Sequence, residues 1–396
     1  MTTAKRWLLP DGVEEILPAE AYRLESLRRE LLDLYESWGY ELVITPLIEF
    51  LDSLLVGSSH DLDLHTFKIT DQLSGRMMGI RADITPQAAR IDAHCLNREG
   101  PVRLCYADSV LHTKPRGIMT SRVPIRIGAE LYGHQGVECD VELVCLMHET
   151  LRRAQVPDLY IVLGHVGIFR TLLDAVQLSA DAEQTLFAAL QRKAYDEIDT
   201  VLEAQITDGS LRILLKELSR LSGDESTLDK AREVFATAPA AVQKEFQDLV
   251  SVVDGVKQRI PDIKLCFDLC ELRGYEYHTG IVFAAYTPNY GRAVAKGGRY
   301  DHIGEVFGRA RPASGFDSDL KTLAKLTAAN ATRAAGILAP NSSDPSLLKT
   351  IQQLREDGAV VINWLAENDA TTQQIADLNC DRRLVKEGDS WKVESV

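Results

Sequence analysis

The sequence predicts an α+β fold, and three observations carry that expectation. Strand-like segments occupy much of the chain up to Leu163 and return at Leu265. Between them, from about Gly167 to Val256, Leu, Ala and Val recur at helical spacing with few strand signals, which reads as an all-α insertion within a mixed domain. After a small-residue stretch, Ala328 to Arg333, the pattern changes to strand, amphipathic helix and strand. The expected organisation is a main domain over 1–327 with its helical insertion at about 167–256, then a small C-terminal α/β domain over 333–396.

The elements follow in order. A helix is expected from about Ala19 to Trp38, because Leu24, Leu27, Leu31, Leu34 and Trp38 recur at three- and four-residue steps. Pro18 suits its start and Gly39 its C-terminal cap. Tyr40 to Ile44 reads as a strand that ends at Thr45-Pro46, since Pro46 cannot donate to a ladder. A strand-loop-strand region leads through Gly79-Ile80-Arg81 to a polar turn, Asp83 to Pro86, and a helix from about Gln87 to Leu96. Val102 to Tyr106 is a strand, Ser109 to His112 a candidate second one, and Lys114 to Ser121 a loop broken by Pro115 and Gly117.

Arg122 to Tyr132 reads as a strand with two unlike faces. Ile125, Ile127, Ala129 and Leu131 share one; Arg126, Gly128, Glu130 and Tyr132 share the other. A polar face of that kind is either solvated or the floor of a ligand site, and on alternation alone the solvated reading is favoured. A helix over Asp140 to Ala154 and a strand over Leu159 to Leu163 precede the insertion. Beyond it come strands at Leu265 to Asp268 and Gly280 to Ala285, a glycine turn at Lys296 to Asp301, and a short strand at Ser314 to Phe316 feeding a helix that ends near Ala329. The C-terminal unit has strands at Ala335 to Leu338 and Ala359 to Trp364 around a helix over Pro345 to Asp357.

Bulk properties narrow the function. With 396 residues, 45% hydrophobic and 26% charged, the composition is that of a globular protein of two or three domains at about 100–200 residues each. No apolar run reaches the ~18 residues of a membrane span, and Met1 to Pro10 lacks the apolar stretch of a signal peptide, which points to the cytosol. Seven cysteines at irregular spacing form no disulfide framework, and Cys266 and Cys270 are not a CxxC; buried apolar cysteines are the expectation. The nine histidines have no ligand spacing, so neither a metal nor a cofactor is expected. A net charge of −14 argues for a protein partner or a small ligand rather than a nucleic acid.

No P-loop, nucleophile elbow or HExxH is present. The order of elements, from long helix and proline-ended strand to helical insertion and GGRYD, resembles a class II aminoacyl-tRNA synthetase core, and in detail histidyl-tRNA synthetase. Arg273-Gly274-Tyr275-Glu276-Tyr277 resembles that family's RGLDYY, Arg81 to Thr85 its RPEGT, and Ile127 to Glu130 its QLGCE region, while Gly297 to Asp301 stands as the family has it. The resemblance spans roughly Val13 to Leu326 and implies a class II synthetase-like antiparallel sheet flanked by helices.

The resemblance also implies a histidine pocket. Glu130 stands where a carboxylate accepts the imidazole N–H, Arg273 where a guanidinium takes the substrate carboxylate, and Asp83 and Thr85 where the α-amino group is held. Tyr277 and Tyr300 match tyrosines that line the pocket. Two departures touch it. His278 replaces the second tyrosine of RGLDYY, and Arg126 replaces a glutamine; Arg126 either pairs with Glu130 or competes with the ligand.

Other departures remove the nucleotide chemistry. In the motif 2 run Val110 to Pro115, Leu111 stands for the arginine on the ATP α-phosphate and Thr113 for the glutamate on adenine. In motif 3, Thr322 stands for the ATP-binding arginine, and Asp319, standing for a glycine, would repel a triphosphate. Losing one such contact costs on the order of 10²–10³ in rate. The C-terminal tail is also shorter than the synthetases' anticodon-binding domain.

A synthetase-like core with a histidine pocket, no ATP motifs and a short tail resembles the regulatory subunits of short-form ATP phosphoribosyltransferase, as does the run Tyr277 to Gly280. The resemblance implies a non-catalytic subunit that activates a short catalytic subunit in the first step of histidine biosynthesis. It further implies L-histidine as allosteric effector, a hetero-octamer, and a homodimer through the motif 1 region at about Ala19 to Pro46. Two other readings are a working histidyl-tRNA synthetase and a free-standing histidine-binding regulator.

Overall fold

The computed structural model describes residues 7–55, 60–115, 117, 120–272, 274–275, 277–288, 290–327, 333–366 and 368–396. The chain divides into two compact units, Met1–Asn330 and Ala331–Val396.

In the first unit the helix Pro18–Ser37 buries Leu24, Leu27, Leu31 and Leu34, as the apolar spacing predicts, and Tyr35 joins them. Gly39 adopts φ +83, the left-handed conformation that lets the chain leave the helix and turn into a strand. The strands are β1 (Glu41–Leu42), β2 (Ile48–Phe50), β3 (Phe67–Thr70), β4 (Met77–Ile80), β5 (Val102–Ser109), β6 (Ile125–Tyr132), β7 (Tyr160–His165), β8 (Ser222–Gly223), β9 (Leu265–Asp268), β10 (Ile281–Thr287), β11 (Tyr290–Arg299) and β12 (Ala313–Asp319). Nine of them form one sheet in the order β1-β5-β6-β12-β11-β10-β7-β9-β8. Only the pairs β1·β5 and β7·β9 are parallel. The apolar face of β6, with Ile127, Ala129 and Leu131, packs into a core shared with the helices Pro18–Ser37, Glu138–Arg153 and Ala240–Arg259. The stretch between β7 and β9 is helical apart from the two residues of β8, in accord with the helical spacing there.

Several elements differ from expectation. The first strand shrinks to Glu41–Leu42 plus one further bond from Val43 N to Cys105 O at 2.9 Å. Ser109 to His112 is not a second strand: β5 runs on through Ser109, and the next amides donate to Pro124, Arg81 and Arg122 in turn rather than to one partner strand. The strand expected from Arg122 begins at Ile125. The helix after the polar turn is α-helical only over Thr85–Arg90, and Ile91–Leu96 widens into a π-helical turn that ends at left-handed Asn97. The expected strand-loop-strand region is the hairpin β3–β4, and β2, which had no counterpart, joins it to complete a small sheet in the order β2-β4-β3.

The expected glycine turn at Lys296 to Asp301 is the end of strand β11, paired on both sides, with the turn beginning only after Arg299. The two glycines are there for space. A Cβ on Gly297 would lie 2.6 Å from Phe283 Cε2 and 2.7 Å from Phe316 Cβ in the core, and one on Gly298 would lie 2.7 Å from His278 Cδ2 on the other face. Arg299 is buried and donates to Asp140 Oδ2 at 2.7 Å and to Gly136 O at 2.9 Å, while Ser314 Oγ donates to Asp140 Oδ1 at 2.6 Å. The pair ties β11 and β12 to the helix Glu138–Arg153.

The second unit has a sheet in the order β14-β13-β15-β16, from β13 (Gly336–Ala339), β14 (Val361–Asn363), β15 (Cys380–Glu387) and β16 (Ser390–Ser395). Its helix Pro345–Glu356 starts at Asp344, whose side chain accepts from Ser346 N. The hairpin β15–β16 and the helix Thr372–Asp377 had no counterpart in the sequence reading.

Arg299→Met should leave Asp140 as an uncompensated buried charge and cost about 3–5 kcal/mol. Urea denaturation measures it, and a midpoint equal to wild type would show that the pair does not hold these strands to the helix.

Candidate functional site

The sheet face opposite the core builds the site. Strand register aligns Glu130 of β6, Gly315 of β12, Gly298 of β11, Val282 of β10 and Gly164 of β7 in one row. A second row runs Gly128, Asp317, Lys296, Ala284, Val162. Three of the five positions in the first row are glycine, so that side chains from elsewhere lie over it. A Cβ on Gly315 would run into Glu130 Oε2 and Tyr300 Oη, and Gly298 lies under the His278 ring. Above this floor is a cavity of about 660 Å³.

Seven of the eight candidate residues line that one cavity: Asp83, Thr85, Arg126, Glu130, Tyr277, His278 and Tyr300. Arg273 lies outside the described residues; its neighbours Leu272 and Gly274 are both in the cavity wall.

Glu130 is 1% exposed. Tyr106 Oη donates to its Oε1 at 3.0 Å and stands 3.4 Å from Thr85 Oγ1. Glu130 Oε2 and Tyr300 Oη, both buried, have no hydrogen-bond partner among the described residues. Burial pushes the Glu130 carboxyl well above the usual carboxylate range; the Tyr106 and Thr85 hydroxyls offset this only in part, and Asp83 and Asp317 add to it. The solvated reading of this strand face is thereby overturned. Segments 83–86, 272–278 and 300–303 supply the residues that cover it.

Arg126 pairs neither with Glu130 nor with open solvent. Its Nη1 stands 3.3 Å from Asp317 Oδ2, and its side chain is 14% exposed. Asp83 Oδ1 accepts from Ile84 N at 2.7 Å and Thr85 N at 3.4 Å, which fixes the turn before the helix Thr85–Arg90. Arg81, 2% exposed, holds that turn from behind: its guanidinium donates to Ser109 O and Thr45 O and meets Asp108 at 2.9 Å. On the opposite wall Tyr277 and His278 amides both bond Gly274 O, and Arg170 Nη2 donates to Tyr275 O at 2.7 Å and His278 O at 3.0 Å. The His278 ring, 4.1 Å from that of Tyr277 and 6.3 Å from that of Tyr300, occupies the space that glycine leaves at 274 and 298.

The sequence reading missed Tyr106, Asp317 and Arg170. Tyr106 and Asp317 could have been found by parity: Asp317 shares a face with Gly315, and Tyr106 pairs with Gly128. Arg170 carried no such signal.

The positions that stand for nucleotide contacts have other partners. Leu111, Thr113, Asp319 and Thr322 do not line the cavity. Thr113 Oγ1 donates to Leu64 O at 2.7 Å, and Thr322 Oγ1 donates to Asp319 Oδ2 at 2.9 Å. Asp319 caps the helix Leu320–Leu326 through Lys321 N and also accepts from Ile125 N. Of the nearby cations, Arg122 is spent on His112 O and Asp11 O, and Lys321 on Glu14. The cavity can therefore hold a small ligand with N–H or O–H donors at the Glu130 end and a charged group at the Arg126, Asp317 and Asp83 end.

Comparison with known proteins agrees with this architecture. The family model described as Histidyl-tRNA synthetase matches residues 12–323, and that described as ATP phosphoribosyltransferase subunit HisZ C-terminal domain matches 334–394. An ATP phosphoribosyltransferase regulatory subunit of Stutzerimonas stutzeri is 55% identical over 394 residues, 99% of each chain. One of Pseudomonas aeruginosa (strain LESB58) is 52% identical over 394 residues, again 99% of each chain. A solved ATP phosphoribosyltransferase regulatory subunit/histidyl-tRNA synthetase from Bacillus halodurans superposes with TM-score 0.84 at 23% identity, covering 97% of this chain and 99% of that one. A histidyl-tRNA synthetase from Nostoc sp. PCC 7120 superposes with TM-score 0.79 at 20% identity, covering 98% and 94%. These two show the fold.

The raised Glu130 pKa has a sign that can be tested. The folded chain keeps a proton there that the unfolded chain releases above the ordinary value of 4.5. Wild type should therefore lose stability relative to Glu130→Gln as pH rises from about 5 to about 8. Urea midpoints of both proteins across that range measure it, and parallel pH profiles would mean the buried carboxyl is ionised.

Proposed function

This chain belongs to the family of ATP phosphoribosyltransferase regulatory subunits, and we propose that it acts as the non-catalytic, histidine-sensing subunit of a short-form ATP phosphoribosyltransferase. It activates a separate catalytic subunit in the first step of histidine biosynthesis and carries feedback inhibition by L-histidine.

One observation carries the sensing assignment. Two buried polar atoms without a hydrogen-bond partner among the described residues, Glu130 Oε2 and Tyr300 Oη, meet over Gly315 in a cavity that Asp83, Thr85, Arg126, Tyr277 and His278 also line. Unsatisfied buried polar atoms call for a ligand or water with matching groups. An imidazole N–H suits the Glu130 end. Arg273, between two cavity-wall residues, is assigned the carboxylate of the ligand. Leu111, Thr113 and Thr322, and the structural employment of Arg122 and Lys321, speak for binding without adenylation.

The partner is a protein, the catalytic subunit, in a cytosolic hetero-octamer; the net charge of −14 supports this over a nucleic acid. A homodimer through the motif 1 region is supported by exposed apolar side chains at and just beyond edge strand β1, namely Leu42, Ile44, Leu47 and Ile48. Among the described residues no helix is long and apolar enough to cross a membrane.

The purified chain should give no histidine-dependent ATP–pyrophosphate exchange; measurable exchange would make it a synthetase. The sensing assignment is tested by phosphoribosyl-ATP formation with Glu130→Ala at saturating catalytic subunit. Activation should persist. Half-inhibition should move to histidine concentrations about five- to a hundredfold higher, for a ligand N–H left without its buried partner at a cost of roughly 1–3 kcal/mol. Inhibition as strong as wild type would place the sensor on the catalytic subunit.

A further inference from the structure

Asp83 stands where the resemblance puts the group that holds an α-ammonium. Its Oδ1 accepts from Ile84 N and Thr85 N and holds its own turn, so only part of its acceptor capacity faces a ligand. A second carboxylate faces the same space from the other side. Asp317 of β12 pairs across the sheet with Gly128, so no β6 side chain lies between it and the cavity it lines. Its side chain is 13% exposed, and among the described residues its one polar contact is the ion pair of its Oδ2 with Arg126 Nη1 at 3.3 Å. A carboxylate offers about four acceptor sites. Asp317 therefore has acceptor capacity left after its ion pair.

The spacing along the strand matches the ligand. Asp317 is two residues from Gly315, over which Glu130 Oε2 lies, and two strand residues span roughly 6.8 Å. That is about the reach from an imidazole nitrogen, across the side chain, to an α-amino group. We propose that Asp317 is the second carboxylate for the effector's α-ammonium, shared with Asp83, and that this pair makes the pocket select an amino acid over an imidazole compound without the amine. Arg126 neutralises Asp317 through their ion pair at 3.3 Å and leaves the rest of the carboxylate to the ammonium. The assignment rests on the reading of the cavity as a histidine site.

Calorimetry on the full-length chain with L-histidine and with imidazolelactate, which has a hydroxyl in place of the ammonium, separates the possibilities. Asp317→Asn keeps the shape and removes the charge. L-Histidine affinity should fall about ten- to a hundredfold, while imidazolelactate binds as before or tighter. An equal fall for both ligands would assign Asp317 a structural role and overturn the proposal, leaving the histidine pocket in place. Absence of L-histidine binding to wild type would overturn the pocket itself and the proposal with it. Asp83→Asn supplies a test that does not depend on the folding of the Asp317 variant. If that change alone abolishes discrimination between the two ligands, Asp317 has no share in it; if discrimination survives in part, Asp317 is its source.

Discussion

The register that sets Glu130 against Gly315, and Gly315 against Gly298, decides what the sheet can be used for. A strand's side chains alternate, so one residue of slip would send Ile127, Ala129 and Leu131 into the cavity and Glu130 into the core. With the observed register the sheet has one densely apolar face and one face emptied by glycine. The emptied face does not collapse, because Tyr300, His278 and Tyr277 reach over it from connecting segments with their own anchors. Arg299 and Asp301 hold the chain on either side of Tyr300, the latter through Ala313 N and Thr279 Oγ1. Arg170 holds the carbonyls of Tyr275 and His278. The cavity is thus framed by hydrogen-bonded arginines, Arg299 buried and Arg170 half-buried, rather than by apolar packing alone.

Those same arginines show how charge is partitioned in this chain. Arg81, Arg299 and Arg311 are all buried, and each is satisfied by backbone carbonyls together with an aspartate: Asp108, Asp140 and Asp92. Such groups are strongly structural, because removing either partner strands the other in low dielectric. Among the described residues the cavity is lined by Arg126, Arg170 and Lys296 and by Asp83, Glu271 and Asp317, with Glu130 beside them. Arg126 is balanced by Asp317, and Glu130 is driven toward its neutral form by burial. A site of near-zero charge suits a zwitterion. It does not suit a triphosphate, whose transfer chemistry relies on fixed positive groups aimed at developing charge.

The sequence made the apolar skeleton legible and left the polar geometry half-legible. Helical spacing located Pro18–Ser37 and the insertion, because Leu at three- and four-residue steps has no competing interpretation. Alternation located β6 but could not say whether its polar face met water, since that depends on segments far along the chain. Gly297-Gly298 read as a turn because glycine is the usual turn residue; only the neighbours, Phe283, Phe316 and His278, show that space rather than φ requires it. The strand-loop-strand region before Arg81 was legible, but not the bounds of its strands or the addition of β2, because these strands have three or four residues and almost no fully buried side chain. Strand β15, Cys380–Glu387, hid its inward Cys380 and Leu384 among charges. The candidate site was legible only through motif resemblance, which brought seven residues to one cavity from four separate parts of the chain but had no counterpart for Asp317.

A binding site without catalytic machinery can influence a reaction only through a difference in affinity between two states of the assembly. The cavity offers a physical origin for such a difference. Glu130 Oε2 and Tyr300 Oη are buried without partners among the described residues, a condition that costs free energy for each such atom. A ligand that satisfies both is stabilised most in the arrangement that brings them together over Gly315. Any rearrangement of the assembly that moves the Tyr300 segment relative to β6 must then weaken the ligand, and the ligand must resist that movement to the same extent. Because Tyr300 lies between Arg299 and Asp301, which are bonded into the helix Glu138–Arg153 and the start of β12, such movement cannot be confined to the pocket. The glycine row opens the cavity and the arginine frame ties it to the helices and strands around it, so that whatever fills the cavity must act on the body of the fold as well.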